Sequence, residues 1–161
     1  MGTALVAAPM ALAQDDPTVA PEALAGFALD VCVVTADAPD MGETIGDFTQ
    51  VTQDEGSARY EHPQGLTLAF AMRQDFFSCE LVVPEASEAF FSALYASFGT
   101  EIQSRFEADD FEQVEDGQVW EIYTEDGLLV ETELQQDEGG RITLTSSTET
   151  AQTPPRARDT N

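Results

Sequence analysis

The chain has 161 residues, of which 42% are hydrophobic and 23% are charged, and these values fit one folded domain rather than a disordered protein. Its 31 acidic and 6 basic residues give a net charge of −25, and every basic residue is an arginine. A charge of this size and sign repels nucleic acids and anionic membrane surfaces, so we expect neither as a partner.

The first thirteen residues carry no charge, are mostly apolar and end in Ala11-Leu12-Ala13. Small residues two positions apart are what signal peptidase recognises, so we predict that 1–13 is a signal-peptide remnant cleaved before Gln14. The alternative is a short apolar helix at the N-terminus. The run is too short to cross a bilayer, and we expect no membrane span. The signal peptide predicts a periplasmic or secreted protein.

The chain contains two cysteines, Cys32 and Cys79. An even number of cysteines in an exported protein predicts a disulfide between them. Cys79 lies on the inward phase of an alternating segment, where a cysteine on a covering helix can reach it. The alternative is a pair of buried free thiols.

A helix is predicted from Pro21 to about Thr35, because proline suits a first turn and apolar residues then recur at helical spacing. The β-branched residues within 31–34 make a strand the alternative there. Asp40 followed by Glu43 is typical of a capped helical turn. Strands are then predicted from the alternation of apolar and polar residues at 48–53, 58–61, 66–72 and 77–83.

A second helix is predicted from Pro84 to Phe98, with Gly99 ending it. Residues 100–111 fit either a helix or a strand. Three strands joined by Asp-Gly turns and a glycine-rich turn follow at 118–124, 128–135 and 141–148. The last segment, 149–161, has no apolar periodicity and is predicted to be a disordered tail.

These elements predict an α+β fold in one domain that spans 18–148. We expect two layers: a mostly antiparallel sheet of about six to seven strands, covered on one face by two helices. The segments 18–53 and 84–124 each pass from helix to strand, but no matching residues support an internal repeat.

Few residues of this chain are suited to catalysis. The sequence has no lysine, no nucleophile elbow, no phosphate-binding glycine loop and no zinc-binding motif. The single histidine, His62, lies in a turn before Pro63, where we expect a solvated side chain rather than a general base. Ser57 has no base nearby in the sequence. We therefore predict no cofactor and no metal, and favour a protein that is not an enzyme.

The acidity has two interpretations. Acidic residues occur along the whole chain and lysine is absent, a composition typical of adaptation to a salty medium. The other interpretation is a surface for a cationic partner. The region predicted for such a partner is formed by acidic turns: Asp109, Asp110, Glu115, Asp116, Glu125 and Asp126.

The sequence thus predicts a small exported acidic domain that acts as a non-catalytic periplasmic binding or accessory protein, with a cationic periplasmic protein as its partner. Two alternatives remain open. One is a hydrolase that works with paired carboxylates. The other is an inhibitor or chaperone-like partner of a basic periplasmic protein.

Overall fold

A computed structural model describes residues 16–34, 44–73, 76–124 and 128–149. The predicted signal-peptide remnant, the helical turn expected at Asp40–Glu43 and the tail from residue 150 lie outside these described residues.

The first half of the domain is a helix followed by a run of antiparallel strands. Helix α1 spans Pro21–Leu29, with a proline in its first turn, and continues as a π-helical turn over Asp30–Val34. The strand considered as an alternative for 31–34 does not form. The strands that follow are β1 (Thr44–Ile45), β2 (Phe48–Asp54), β3 (Ser57–Glu61), β4 (Thr67–Arg73) and β5 (Phe76–Val83).

The second half repeats this order of elements. Helix α2 spans Glu88–Arg105, and a single 3-10 turn at Ala108–Asp110 connects it to the next strands. These strands are β6 (Phe111–Val114), β7 (Val119–Tyr123), β8 (Leu129–Gln136) and β9 (Ile142–Glu149), with a tight turn at Glu115–Gly117 between β6 and β7.

The strands form one fully antiparallel sheet in the order β1-β2-β3-β4-β5-β9-β8-β7-β6. The predicted α+β fold is confirmed, and the strand count is higher than predicted because β1 and β6 were not recognised. Each half is therefore a helix followed by an antiparallel meander. The halves meet where β5 pairs with β9.

Both helices pack against each other and against one face of the sheet. The alternation of the strands places the predicted inward residues in this core, including Leu68, Phe77, Trp120 and Leu144. The opposite face of the sheet carries no other helix or strand of the described chain.

Helix α2 differs from its predicted bounds at both ends. It begins at Glu88 rather than Pro84, because Ser87 is the N-cap and its hydroxyl accepts a hydrogen bond from the Phe90 amide. It continues past Gly99 to Arg105, where burial of Ile102 anchors the last turn in the core. A helix therefore forms in the first part of the ambiguous segment 100–111.

Candidate functional site

The disulfide predicted from the sequence is present. Cys32, in the π-helical turn after α1, is bonded to Cys79 on the central strand β5, with Cα atoms 5.3 Å apart. Both residues are buried, at 0% and 1% exposure. The bond therefore attaches the first helix to the middle of the sheet, and neither sulfur is available for thiol chemistry.

The single histidine is buried, which corrects the expectation of a solvated side chain. His62 is 8% exposed, because its ring packs on Phe48 with the ring centroids 5.1 Å apart. Its Nδ1 atom accepts a hydrogen bond from the backbone N–H of Gln64 at 3.1 Å. Its Nε2 atom lies 4.0 Å from an Asp47 carboxylate oxygen. These contacts hold the turn after β3, so the side chain has a structural role here.

An open cleft of about 500 Å³ lies between the segment 16–18 and the loop that leads into α2. Two carboxylates, Asp16 and Glu85, line it. Both Asp16 oxygens accept hydrogen bonds from Ser87, one from its backbone N–H at 2.7 Å and one from its hydroxyl at 2.8 Å. Asp16 therefore supports the N-cap of α2 and is not free to act as a base.

A second open depression, of about 330 Å³, lies beside the β2–β3 hairpin. Asp54, Ser57, Phe70 and Met72 are among its lining residues. It holds a single carboxylate and the exposed Ser57, with no histidine among the lining residues. The groups needed for nucleophilic catalysis are therefore not brought together there.

The acidic turns predicted as one partner-binding region do not form one cluster. Asp109 and Asp110 precede β6, whereas Glu115 and Asp116 follow it. The two pairs are thus separated by the length of β6, a strand of four residues or roughly 13 Å. The remaining two predicted residues, Glu125 and Asp126, lie outside the described residues.

The turn after β6 is fixed by contacts with α2. The Tyr95 hydroxyl donates a hydrogen bond to the Gly117 carbonyl at 2.6 Å, and the Gln113 side-chain amide donates to the same carbonyl at 2.8 Å. Asp116 and Gly117 both have positive φ angles, 59° and 86°. A Cβ atom on Gly117 would lie 2.6 Å from the Tyr95 hydroxyl, so only glycine fits.

A different group of acidic residues is assembled by the register of the sheet. Glu112 on β6 is directly opposite Glu121 on β7, and Glu121 is directly opposite Glu131 on β8. Glu133 lies two residues further along β8 on the same side of the strand. All four face away from the helices, and we call them the glutamate face. Glu112 and Glu131 are exposed, and the other two are half-buried.

The sequence region that forms the glutamate face is poor in basic residues. Residues 106–149, which form the strands of the second half, contain fourteen acidic residues and one arginine, Arg141. Residues 44–83, which form the strands of the first half, contain six acidic residues, two arginines and the histidine. The acidic excess is therefore concentrated in the second half of the sheet. The total number of acidic residues in the chain does not show this concentration. The signal in the sequence that could have shown it is the recurrence of glutamate at the outward-facing positions of the predicted strands.

Comparison with protein-family models, with curated proteins and with solved structures finds no match for this chain. Within the described ranges, no three His, Cys, Asp or Glu side chains are arranged to hold a metal ion. Neither α1 nor α2, the helices of the described chain, has the length and apolar character required to cross a membrane.

Proposed function

We propose that the protein is a non-catalytic binding or accessory domain of the periplasm and that its partner is a cationic protein. The observation that supports this most directly is the glutamate face, a set of carboxylates on the side of the sheet against which no other described helix or strand packs, in a half of the sheet with a single arginine. The buried disulfide agrees with the oxidising compartment that the N-terminal segment predicts.

The chemistry of the remaining groups favours binding over catalysis. The two cysteines are bonded, His62 holds a turn, and both oxygens of Asp16 are used at the helix N-cap. A carboxylate hydrolase needs one acid kept protonated, usually in an apolar pocket. The glutamate face lies on the side of the sheet opposite the two described helices, where charges act over long range on a partner of opposite sign.

A titration with a labelled nona-arginine peptide tests this function on the full chain. At about 0.15 M salt, where the screening length is about 8 Å, we expect saturable binding of one peptide per protein. Binding should weaken strongly at about 1 M salt, where the screening length falls to about 3 Å. A nona-glutamate peptide of the same length and label is the matched control and should not bind.

Two results would overturn the proposal. Binding that never saturates, or that takes up several peptides per chain, would indicate a diffuse counterion effect rather than a site. Turnover of a glycan, ester or peptide substrate by the purified protein would identify an enzyme instead.

A further inference from the structure

Asp16, Pro17 and Thr18, which precede α1, form a strap between two parts of the fold. At one end, both oxygens of the Asp16 carboxylate accept hydrogen bonds from Ser87 at the N-cap of α2. At the other end, the Thr18 backbone N–H donates a hydrogen bond to the side-chain oxygen of Gln64 at 2.6 Å, and the Gln64 side-chain nitrogen donates to the Thr18 hydroxyl. The strap therefore ties the turn after β3 to the start of α2 and lines the cleft of about 500 Å³.

Gln64 connects the strap to the single histidine. Its side chain holds Thr18, whereas its backbone N–H donates a hydrogen bond to Nδ1 of His62 at 3.1 Å. The His62 ring is held in place by burial, because it packs against Phe48 and is 8% exposed. The position of this end of the strap therefore depends on an acceptor atom of a titratable side chain.

Protonation of His62 removes that acceptor. A neutral imidazole accepts a hydrogen bond through one ring nitrogen, whereas both nitrogens of an imidazolium carry protons and can only donate. The Nδ1–H of the ring and the N–H of Gln64 would then point at each other, and a flip of the ring would not restore an acceptor. The backbone of Gln64 must move away, and its side chain then leaves its place beside Thr18.

The charged groups around the ring favour the same movement. Asp47, in the turn between β1 and β2, has a carboxylate oxygen 4.0 Å from Nε2, so it attracts an imidazolium away from Gln64. The side of the ring towards β2 is covered by Phe48, on which Phe27 of α1 stacks. The other charged side chains in this part of the fold are Arg59 and Glu61 on the opposite side of β3, and Asp16 and Glu85 along the cleft.

We propose that His62 is a proton-operated latch: protonation of its ring loosens the turn after β3, frees the Thr18 end of the strap and opens the cleft beside α2. The latch is independent of the proposed function, because it involves neither the glutamate face nor a cationic partner. Leu66 and Val83 line the cleft and are buried at 0% and 1% exposure, so the released strap gives access to part of an apolar floor.

Amide hydrogen exchange, followed by NMR on the full chain at about pH 7.5 and about pH 5, tests the latch, because histidine acts as a switch in this range. The amide of Gln64 reports on the bond to His62, and the amide of Thr18 reports on the bond to Gln64. Exchange rates are expressed as protection factors, so that the intrinsic effect of pH on exchange cancels. The ring resonances of His62 show whether the ring has gained its proton.

We expect the protection factors of Gln64 and Thr18 to fall by about tenfold or more when the ring is protonated, since each amide loses the hydrogen bond that protects it. The matched control is His62→Asn, whose side-chain oxygen can accept the Gln64 N–H in place of Nδ1 and does not titrate. In this variant both protection factors should change by less than about threefold between the two pH values. Circular dichroism confirms that the variant is folded.

Gln64→Ala separates the two steps and tests the latch even if His62→Asn does not fold. Gln64 is exposed, so this variant leaves the core unchanged. The backbone amide at position 64 should still lose protection in acid, because its bond to His62 remains. The Thr18 amide should be unprotected at both pH values, because its acceptor has been removed.

Three results would overturn the latch. Unchanged protection of Gln64 and Thr18 after protonation of the ring would show that the turn does not depend on the Nδ1 acceptor. An equal fall in His62→Asn would assign the effect to titration of carboxylates. A ring that stays neutral down to about pH 5 would show that no proton reaches it in the range where histidine acts as a switch.

Discussion

Replacing Cys32 and Cys79 together with alanine removes the covalent link between the first helix and the sheet. The bond joins residues 47 positions apart, and the loop-closure relation gives about 4 kcal/mol of stabilisation for a loop of this length. Most of that effect acts on the unfolded chain, because buried Leu24 and Leu29 still hold α1 in the native state. We therefore expect a folded variant whose free energy of unfolding is lower by about 4 kcal/mol.

Urea unfolding followed by tryptophan fluorescence measures this change. Trp120 is the only tryptophan, and it is buried at 2% exposure against the rings of Tyr95 and Phe98. The double variant and the chemically reduced parent protein should agree within about 1 kcal/mol, because both lack the same loop constraint. The thermal midpoint should fall by roughly 15 °C for a domain of this size.

A loss below about 1 kcal/mol in both samples would refute the loop-closure reasoning. Loss of a cooperative unfolding transition would also refute the loop-closure reasoning, because it would show that the disulfide acts on native packing rather than on the unfolded chain.

The ion pair between Arg105 and Asp30 supports the expected native structure. It joins α2 to the turn that carries Cys32, and the hydrogen bond that Arg105 donates to the Asp30 carboxylate raises the pKa of Arg105 above its ordinary value.

Two further predictions concern the strands. Gly56→Ala should lower the free energy of unfolding, measured by thermal unfolding, by about 2 kcal/mol or more, because φ is +85° and the new Cβ would lie 2.6 Å from a carbonyl oxygen of β4. The control Gly65→Ala should lower it less, because Gly65 has a similar φ of +86° but no close backbone atom. Equal losses in the two variants would contradict the steric argument. Glu121→Gln should raise the free energy of unfolding by about 0.2–1 kcal/mol, because it removes the repulsion from Glu131. The control Glu61→Gln should leave the free energy of unfolding nearly unchanged, because the cross-strand neighbours of Glu61 are threonines. A less stable Glu121→Gln protein would contradict the repulsion.

The strands with strong alternation were predictable from the sequence alone. In β4, β5 and the first part of β9 the apolar residues recur at every second position, and the structure buries those positions in the core, except that Met72 is half-buried. The same phase placed Cys79 on the inward face and so predicted its bond to Cys32. These predictions succeed because one local pattern, the period of two, determines which face of a strand becomes buried.

The elements that the sequence misplaced depend on contacts between distant residues. The start of α2 is set by Ser87, whose hydroxyl and amide are bound by Asp16, 71 positions away. Strand β6 has only four residues and becomes a strand through its pairing with β7. Neither effect is visible in a local window of sequence, because propensity gives way to tertiary contacts.

The glutamate face could not be found in the sequence for a related reason. The sequence drew attention to acidic turns because their residues are adjacent in the chain, yet Asp109 and Asp116 lie at opposite ends of β6. Glu121 and Glu131 are ten positions apart and become direct neighbours only through the register between β7 and β8. A slip of one residue in that register would move such side chains to the opposite face.

Adaptation to a salty medium and recognition of a cationic partner predict different distributions of acidic residues over the two halves of this fold. The halves share one topology, so an acidic excess that served only hydration would be expected on the strands of both. Instead, residues 106–149 have fourteen acidic residues and one arginine, whereas 44–83 have six acidic residues and two arginines. Within the acidic half, Glu121 and Glu131 oppose each other directly, although opposed like charges cost stability. A carboxylate arrangement that is both one-sided and unfavourable for the isolated domain argues for recognition of a cationic partner.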